Sequence, residues 1–261
     1  MSGRLAGRAA LITGGAGGLG SAMGAMFLRE GASVLLTDID DVGVAEIASG
    51  LGEKFGAKIF HCHHDVTDET GWRIAVAHAE QTFGRLDILV NNAGIVFTGN
   101  VEETEPDDWR RMMNINLDSV YLGCRTALPV MRKYSPGSII NISSVSGVIA
   151  GYNTAAYNAA KAGVWLLTKS VALQVARDNS GIRVNSIHPA FVDTPMLRDV
   201  MGGDGSATLS EEEQHKFARQ IPLKRIGRPD DVAYAAVYLA SEESAFMTGA
   251  EIRLDGGLTA Q

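Results

Sequence analysis

Seven short apolar runs, alternating with longer amphipathic stretches, constrain this chain more tightly than any other feature of its sequence. The runs are Ala9–Thr13, Ser33–Asp38, Lys58–His63, Leu86–Asn91, Ser138–Ser143, Arg183–His188 and Glu251–Leu254. Leu86 to Val90 and Ser138 to Ile142 are apolar on both faces, as strands must be when helices cover both sides of a sheet. The stretches between them show helical spacing: across Asp68–Phe83, Trp72, Ala75, Val76, Ala79 and Phe83 recur on one face. This alternation implies right-handed crossovers and a doubly wound α/β architecture, a mostly parallel seven-stranded sheet with helices on both faces. It runs unbroken from Ala9 to Gly257 with no linker of altered composition, so residues 1–261 read as one domain.

One segment stands apart. Between Asp193 and Leu209 periodicity is lost, and Met201 to Ser206 is rich in glycine and small polar residues. It follows the sixth strand, on the carboxyl side where open sheets bind ligands. Residues 193–217 are therefore expected to form a flexible substrate loop.

Composition narrows the function classes. The 30 acidic and 23 basic residues leave a formal charge of −7, which argues against a nucleic-acid or anionic-membrane partner. No apolar run is long enough to span a bilayer, and the start of the chain carries no signal-peptide cleavage pattern. Cys62 and Cys124 form no ligand or redox motif and suit a reducing compartment, so the expected location is cytoplasmic. His61-Cys62-His63-His64-Asp65 resembles a metal cluster, but successive strand residues point to opposite faces. No metal is expected.

The first strand runs into Thr13-Gly14-Gly15-Ala16-Gly17-Gly18-Leu19-Gly20, which opens the first helix. Glycines there permit a tight turn and let the N–H groups of a helix N-terminus approach a pyrophosphate. The second strand ends in Asp38, at about the twenty-residue interval of a dinucleotide-binding fingerprint. A carboxylate at that place accepts hydrogen bonds from an adenosine ribose and repels a 2′-phosphate. No Arg or Lys lies between Thr13 and Leu28, or between Ser33 and Glu53, to neutralise such a phosphate. The expected cofactor is NAD rather than NADP. Asp38 could instead cap the next turn, although Asp40 and Asp41 are also placed to do so.

Hydride transfer to a carbonyl needs matched proton transfer at its oxygen. Tyr157 and Lys161 are four residues apart and share a helix face. A neighbouring ammonium favours a phenolate, so Lys161 is expected to bring the Tyr157 phenol toward neutral pH, where a general acid/base works best. Ser144 lies just past the fifth strand, where its hydroxyl can hold the substrate oxygen against that phenol.

Taken together, the glycine run at Thr13–Gly20, Asn91-Asn92-Ala93-Gly94, Ser144 and Tyr157-x-x-x-Lys161 resemble the short-chain dehydrogenase/reductase family over nearly the whole chain. The resemblance implies a single-domain Rossmann fold, a homotetramer, and a small neutral alcohol or ketone as substrate. It also implies a fourth catalytic residue, Asn116 in Ile115-Asn116-Leu117, completing a proton relay through water to Lys161. Asn114 is a competing candidate and reads as an exposed polar position. The cofactor residues it implies are Gly14, Gly18, Leu19, Gly20, Asp38, Ile39, Asp65, Val66, Asn92, Ala93 and Gly94, with Tyr157 and Lys161. Beyond the sixth strand, Pro189, Val192 and Thr194 resemble the segment that holds the nicotinamide carboxamide. Ala190 stands where the family usually has glycine, so the backbone there is expected to differ.

Segments Ser119–Met131, Ser138–Gly147 and Val184–Met196 are most similar to bacterial secondary-alcohol, cyclic-alcohol and hydroxysteroid dehydrogenases. The substrate would meet Ser144, Ser146, Tyr152, Tyr157, Phe191 and Met196, with Val145, Leu197, Val200 and Met201 beside them. Two other readings compete. A 3-oxoacyl-carrier-protein reductase would prefer NADP, against Asp38; a non-enzymatic dinucleotide sensor would lack the tyrosine or the lysine, and both are present.

Overall fold

The computed structural model describes residues 3–56, 58–200 and 210–261. Its seven strands are β1 (Ala9–Thr13), β2 (Ser33–Asp38), β3 (Ile59–His63), β4 (Ile88–Asn91), β5 (Gly137–Ile142), β6 (Ile182–Pro189) and β7 (Glu251–Leu254). They form one sheet in the order β3-β2-β1-β4-β5-β6-β7, and every neighbouring pair is parallel. The sheet is thus wholly parallel. The chain builds outward from β1 to β3, then returns to lay β4 against the other side of β1. Between the carboxyl ends of β1 and β4 the two crossover directions diverge, and a crevice opens there.

Alternation along the strands divides the core in two. Ala10, Ile12, Val34, Leu36, Ile88, Val90, Ile140 and Ile142 pack with Met23, Phe27, Val232 and Val237 on one face. Leu11, Leu35, Leu89 and Ile139 pack with Trp72, Val120, Val164 and Val175 on the other. The first face is covered by α1 (Gly18–Arg29), α2 (Asp41–Phe55) and later α9 (Pro229–Ala240); the second by α3 (Glu69–Phe83), α5 (Ser119–Met131) and α6 (Ala155–Arg177). Each wholly buried aliphatic side chain contributes about 1.5–3 kcal/mol relative to exposure, and the amides that the strands also bury, among them Asn91, Asn141 and Asn185, are hydrogen-bonded to neighbouring groups.

The buried charged side chain at the amino edge is Asp87. Its side chain has no exposed surface, and its carboxylate accepts from the Ala9 N–H (2.8 Å) and from Arg85 Nε and Nη2 (2.7 and 2.6 Å). Arg8 lies 3.7 Å away and also pairs with Glu242. These contacts tie β1, β4 and the segment after α9 together at the end of the sheet away from the crevice.

Helix starts at the carboxyl edge differ in whether a side chain caps them. Asp40 caps α2 through the Gly43 N–H, and Asp68 caps α3 through those of Thr70 and Gly71. Helix α1 starts at Gly17 with no side-chain cap and no acid in its first turn. Between α4 (Pro106–Met113) and α5 the helix continues through one π-helical turn, Asn114–Asp118.

One expectation needs correction. Part of the loop expected over residues 193–217 is helical: α7 spans Pro195–Val200 and α8 spans Glu211–Ala218. Pro195 is preset for a first helical turn, and the Leu197 N–H reaches Thr194 Oγ1 at 3.4 Å. Six residues are too few to show a period. The centre of the expected loop, including Met201, lies outside the described residues, as does the Val200 side chain. The backbone of Ala190 is not in the left-handed region, and its N–H donates to Leu254 O at 3.1 Å. Alanine therefore sits there without strain. The histidines at the end of β3 do not converge: His64 is buried with Nδ1 3.0 Å from Thr37 Oγ1, while His61 and His63 are exposed. Among the described residues no helix is long and apolar enough to cross a membrane.

Candidate active site

The crevice is built around Thr13, the last residue of β1. Its Oγ1 accepts from the N–H groups of Asn92 and Ala93, both at 3.0 Å, just after β4. Asn92 Nδ2 returns the link by donating to Thr13 O (2.8 Å) and Gly14 O (3.2 Å). The two turns on either side of the crevice are thereby locked together. Thr13 went unassigned in the sequence, although a hydroxyl at the head of the glycine run was the available signal.

The glycines are required by close approach. A Cβ on Gly20 would lie 2.1 Å from Gly14 O, and Gly14 itself has φ of 69°. A Cβ on Gly18 would meet Thr194 Cγ2 at 3.2 Å and Pro195 Cδ at 3.3 Å, so the segment after β6 crosses the start of α1. Val192 and Thr194 are buried there. With α1 uncapped, the N–H groups of Gly18, Leu19 and Gly20 have no intrahelical acceptor and face the crevice edge as donors for an anion.

Asp38 is held rather than loose. Its Oδ2 accepts from the Ala16 N–H at 3.0 Å and its Oδ1 from the Asp40 N–H at 3.1 Å, which leaves capping of α2 to Asp40. Asp65 accepts from the Thr67 N–H and hydroxyl, and the backbone bond is the main cause that holds its carboxyl below the ordinary value. Val66 is buried and Ile39 is 65 % exposed. A donor set at the start of α1, a fixed carboxylate beside it and an exposed apolar ledge fit a dinucleotide.

On the other side of the crevice Ser144, Tyr157, Lys161, Asn116 and Gly94 converge. Ser144 is buried, extended, and caps a single 3₁₀ turn, Val145–Gly147; its Oγ accepts from the Ser146 N–H at 3.1 Å. Helix α6 carries Tyr157 and Lys161. Lys161 is 4 % exposed and its Nζ donates to Ile142 O at 2.9 Å, 5.7 Å from the centroid of the Tyr157 ring. Burial lowers this amine from 10.5 to about 8. Burial also raises the Tyr157 phenol, against a smaller downward pull from its hydrogen bond with Ser144. The expected lowering of the phenol by Lys161 is thus reversed. Desolvation disfavours both charged forms, and Nζ is directed at a backbone carbonyl instead of the phenol oxygen.

Asn116 is wholly buried in the π-helical turn, and its side chain grips Ile95 at both ends: Oδ1 accepts the Ile95 N–H (3.2 Å) and Nδ2 donates to Ile95 O (3.0 Å). A Cβ on Gly94 would lie 2.6 Å from Asn116 Oδ1 and 3.6 Å from Lys161 Nζ, so Gly94 leaves open the gap between them. Asn114 is exposed. Gly147 escaped the sequence reading; a Cβ there would meet the Lys161 carbonyl carbon at 2.6 Å, so glycine lets the serine turn rest on α6.

The substrate residues are less tightly grouped. Ser146 flanks Ser144 as expected, and Met196 is 38 % exposed on α7. Tyr152 stands 95 % exposed, next to Asn153 at φ of 58°. Phe191 packs its ring 4.5 Å from Phe217 of α8, in a small cluster with Leu197, Ile221 and Ile226. Its partner is thus α8.

Comparison with known proteins agrees with this geometry. A family model described as enoyl-(acyl carrier protein) reductase matches residues 14–259. The NADP-dependent (R)-specific alcohol dehydrogenase of Lentilactobacillus kefiri is 39 % identical, with 100 % of both chains covered. Trans-4-hydroxycyclohexanecarboxylate dehydrogenase of Sinomonas cyclohexanicum is 42 % identical over 100 % of this chain and 96 % of its own. Among solved structures, a 3-ketoacyl-(acyl-carrier-protein) reductase from Brucella melitensis complexed with NADH superposes with a TM-score of 0.88 at 33 % identity, covering 98 % of this chain and 99 % of that one. Fold, site and relatives lead to one conclusion: the chain belongs to the short-chain dehydrogenase/reductase family.

Proposed function

We propose that this chain interconverts secondary alcohols and ketones with NAD(H), with Ser144, Tyr157 and Lys161 as catalytic residues and Asn116 as their support. The observation that carries the reading is the group formed beside the crevice of the sheet by buried Ser144 and Lys161 and half-buried Tyr157. A bound nicotinamide supplies or accepts the hydride. In reduction the Tyr157 hydroxyl proton passes to the carbonyl oxygen as that oxygen gains negative charge, and the Ser144 hydroxyl donates to the same atom. The Lys161 ammonium then stabilises the phenolate and restores its proton. Oxidation runs the same steps backward. With its phenol raised, Tyr157 enters as an acid at neutral pH. Asn116 keeps Ile95 and Gly94 clear of Lys161, and a water between the two would complete a relay.

Asp38 supports NAD. Two backbone N–H groups orient its carboxylate, and a 2′-phosphate there would meet an unscreened negative charge. The pocket supports a neutral substrate, because Arg198, the cation of α7, is paired with Asp193 at 3.1 Å. Exposed Trp109, Tyr121, Leu166 and Leu173 on α4, α5 and α6 support a homotetramer, which light scattering can check.

The test is a panel of secondary alcohols with either cofactor. NAD should be preferred at least about tenfold in kcat/KM, about 1.4 kcal/mol, and Asp38→Ala should narrow the gap. Equal use of NADP by the wild type would contradict the assignment. Faster turnover of a 3-ketoacyl group on its carrier protein would favour the reductase reading that the Brucella melitensis structure suggests.

A further inference from the structure

Behind Ser144, on the last turn of β6, lies a histidine for which the proposed reaction has no use. His188 has no exposed surface. Its Nδ1 is 3.1 Å from the Ser144 carbonyl oxygen, and its Nε2 is 2.8 Å from Ser186 Oγ. A carbonyl only accepts, so Nδ1 carries the proton; Nε2 of the neutral ring then accepts from the Ser186 hydroxyl. Trp165 packs nearly perpendicular to it with ring centroids 6.0 Å apart, and burial lowers the imidazole pKa, which keeps the ring neutral.

Three consecutive residues of β6 hold the serine turn. Ile187 O accepts the Ser143 N–H at 2.8 Å, His188 donates to Ser144 O, and Pro189 O accepts from Ser144 Oγ at 3.4 Å. The first and third contacts use backbone oxygens and are available to any side chain. Only the second depends on residue type. The same carbonyl also accepts the Gly147 N–H at 3.0 Å, so His188 completes its hydrogen bonding.

We propose that His188 is a positioning residue for Ser144: by fixing the Ser144 carbonyl it sets the peptide plane from which Oγ is aimed at Tyr157. The inference rests on the reading of Ser144 as the group that holds the substrate oxygen. If His188 only fills the core, a leucine of similar bulk would serve as well.

A double-mutant cycle separates these cases, using His188→Leu, Ser144→Ala and the pair, with His188→Asn to return an amide donor near the Nδ1 position. His188→Leu should lower kcat about ten- to hundredfold through misaimed Oγ, with NADH binding unchanged. His188→Asn should recover most of that loss, and His188→Leu should cost nothing further once Ser144 is alanine. Multiplicative losses, or equal activity of the Leu and Asn variants, overturn the proposal. Full turnover by Ser144→Ala alone overturns the assignment of Ser144 and the proposal with it, and is distinguishable because it needs no change at His188. A mutation-free check is the nitrogen NMR spectrum of histidine-labelled wild type, where His188 should be protonated at Nδ1. Protonation at Nε2 would overturn the proposal even if the leucine variant failed to fold.

Discussion

The two ends of the sheet each bury one charged residue and treat it in opposite ways. At the amino edge Asp87 is fully enclosed, and its carboxylate is met by Arg85, Arg8 and a backbone N–H. At the carboxyl edge Lys161 is almost as deeply enclosed, yet no acid among the described residues pairs with it, and the Ile142 carbonyl accepts its hydrogen bond. Pairing offsets desolvation at the first end. Lack of pairing leaves it in force at the second and brings the lysine down to about 8. The contrast teaches that one end is built to hold the strands together, while the other holds a group near its titration point at a cost in stability.

The largest effect should come from Tyr157. Tyr157→Phe should reduce turnover about a thousandfold or more while leaving NADH binding and thermal stability close to wild type. A loss within about tenfold would remove Tyr157 from the role of essential acid. Next in size is the opposite end. Asp87→Ala strands the Ala9 N–H and unpairs Arg85, while Arg8 keeps Glu242, so it should destabilise the fold by about 2–4 kcal/mol in denaturant unfolding. Turnover per folded molecule should hold. A smaller loss with impaired turnover would mean that the two ends are not independent.

A third effect is the pH dependence. If the Lys161 ammonium restores the proton of Tyr157, reduction should slow by up to about tenfold per pH unit above pH 8, as that ammonium is lost. Oxidation should gain over the same range. A reduction rate that is flat to pH 10 would separate Lys161 from the relay.

The sheet was legible because its strands are short, apolar and evenly spaced by helices; each appears within two residues of where the pattern puts it. The candidate site was legible where a residue type falls at a fixed place on an element: Asp38 ends β2, and Ser144, Tyr157 and Lys161 come together at the crevice as their spacing puts them. What escaped depends on direction or on distant partners. Spacing makes Tyr157 and Lys161 neighbours but does not say that Nζ turns to Ile142 O. An apolar residue after β6 reads as pocket lining, and nothing near Phe191 announces that Phe217 meets its ring. The π-helical turn at Asn116 is equally silent, because residues around it keep an ordinary helical pattern.

The most direct test is the unfolding free energy of Lys161→Met, compared with wild type at pH 7 and near pH 10. A lysine lowered from 10.5 to about 8 holds its proton less firmly folded than unfolded. It therefore destabilises the fold fully below pH 8, and the penalty fades as pH rises from 8 toward 10.5. Lys161→Met should accordingly be more stable than wild type by about 1–3 kcal/mol at pH 7, with the gap closing near pH 10 and turnover largely lost. A variant that is less stable than wild type at pH 7, or that keeps its turnover, would contradict the account.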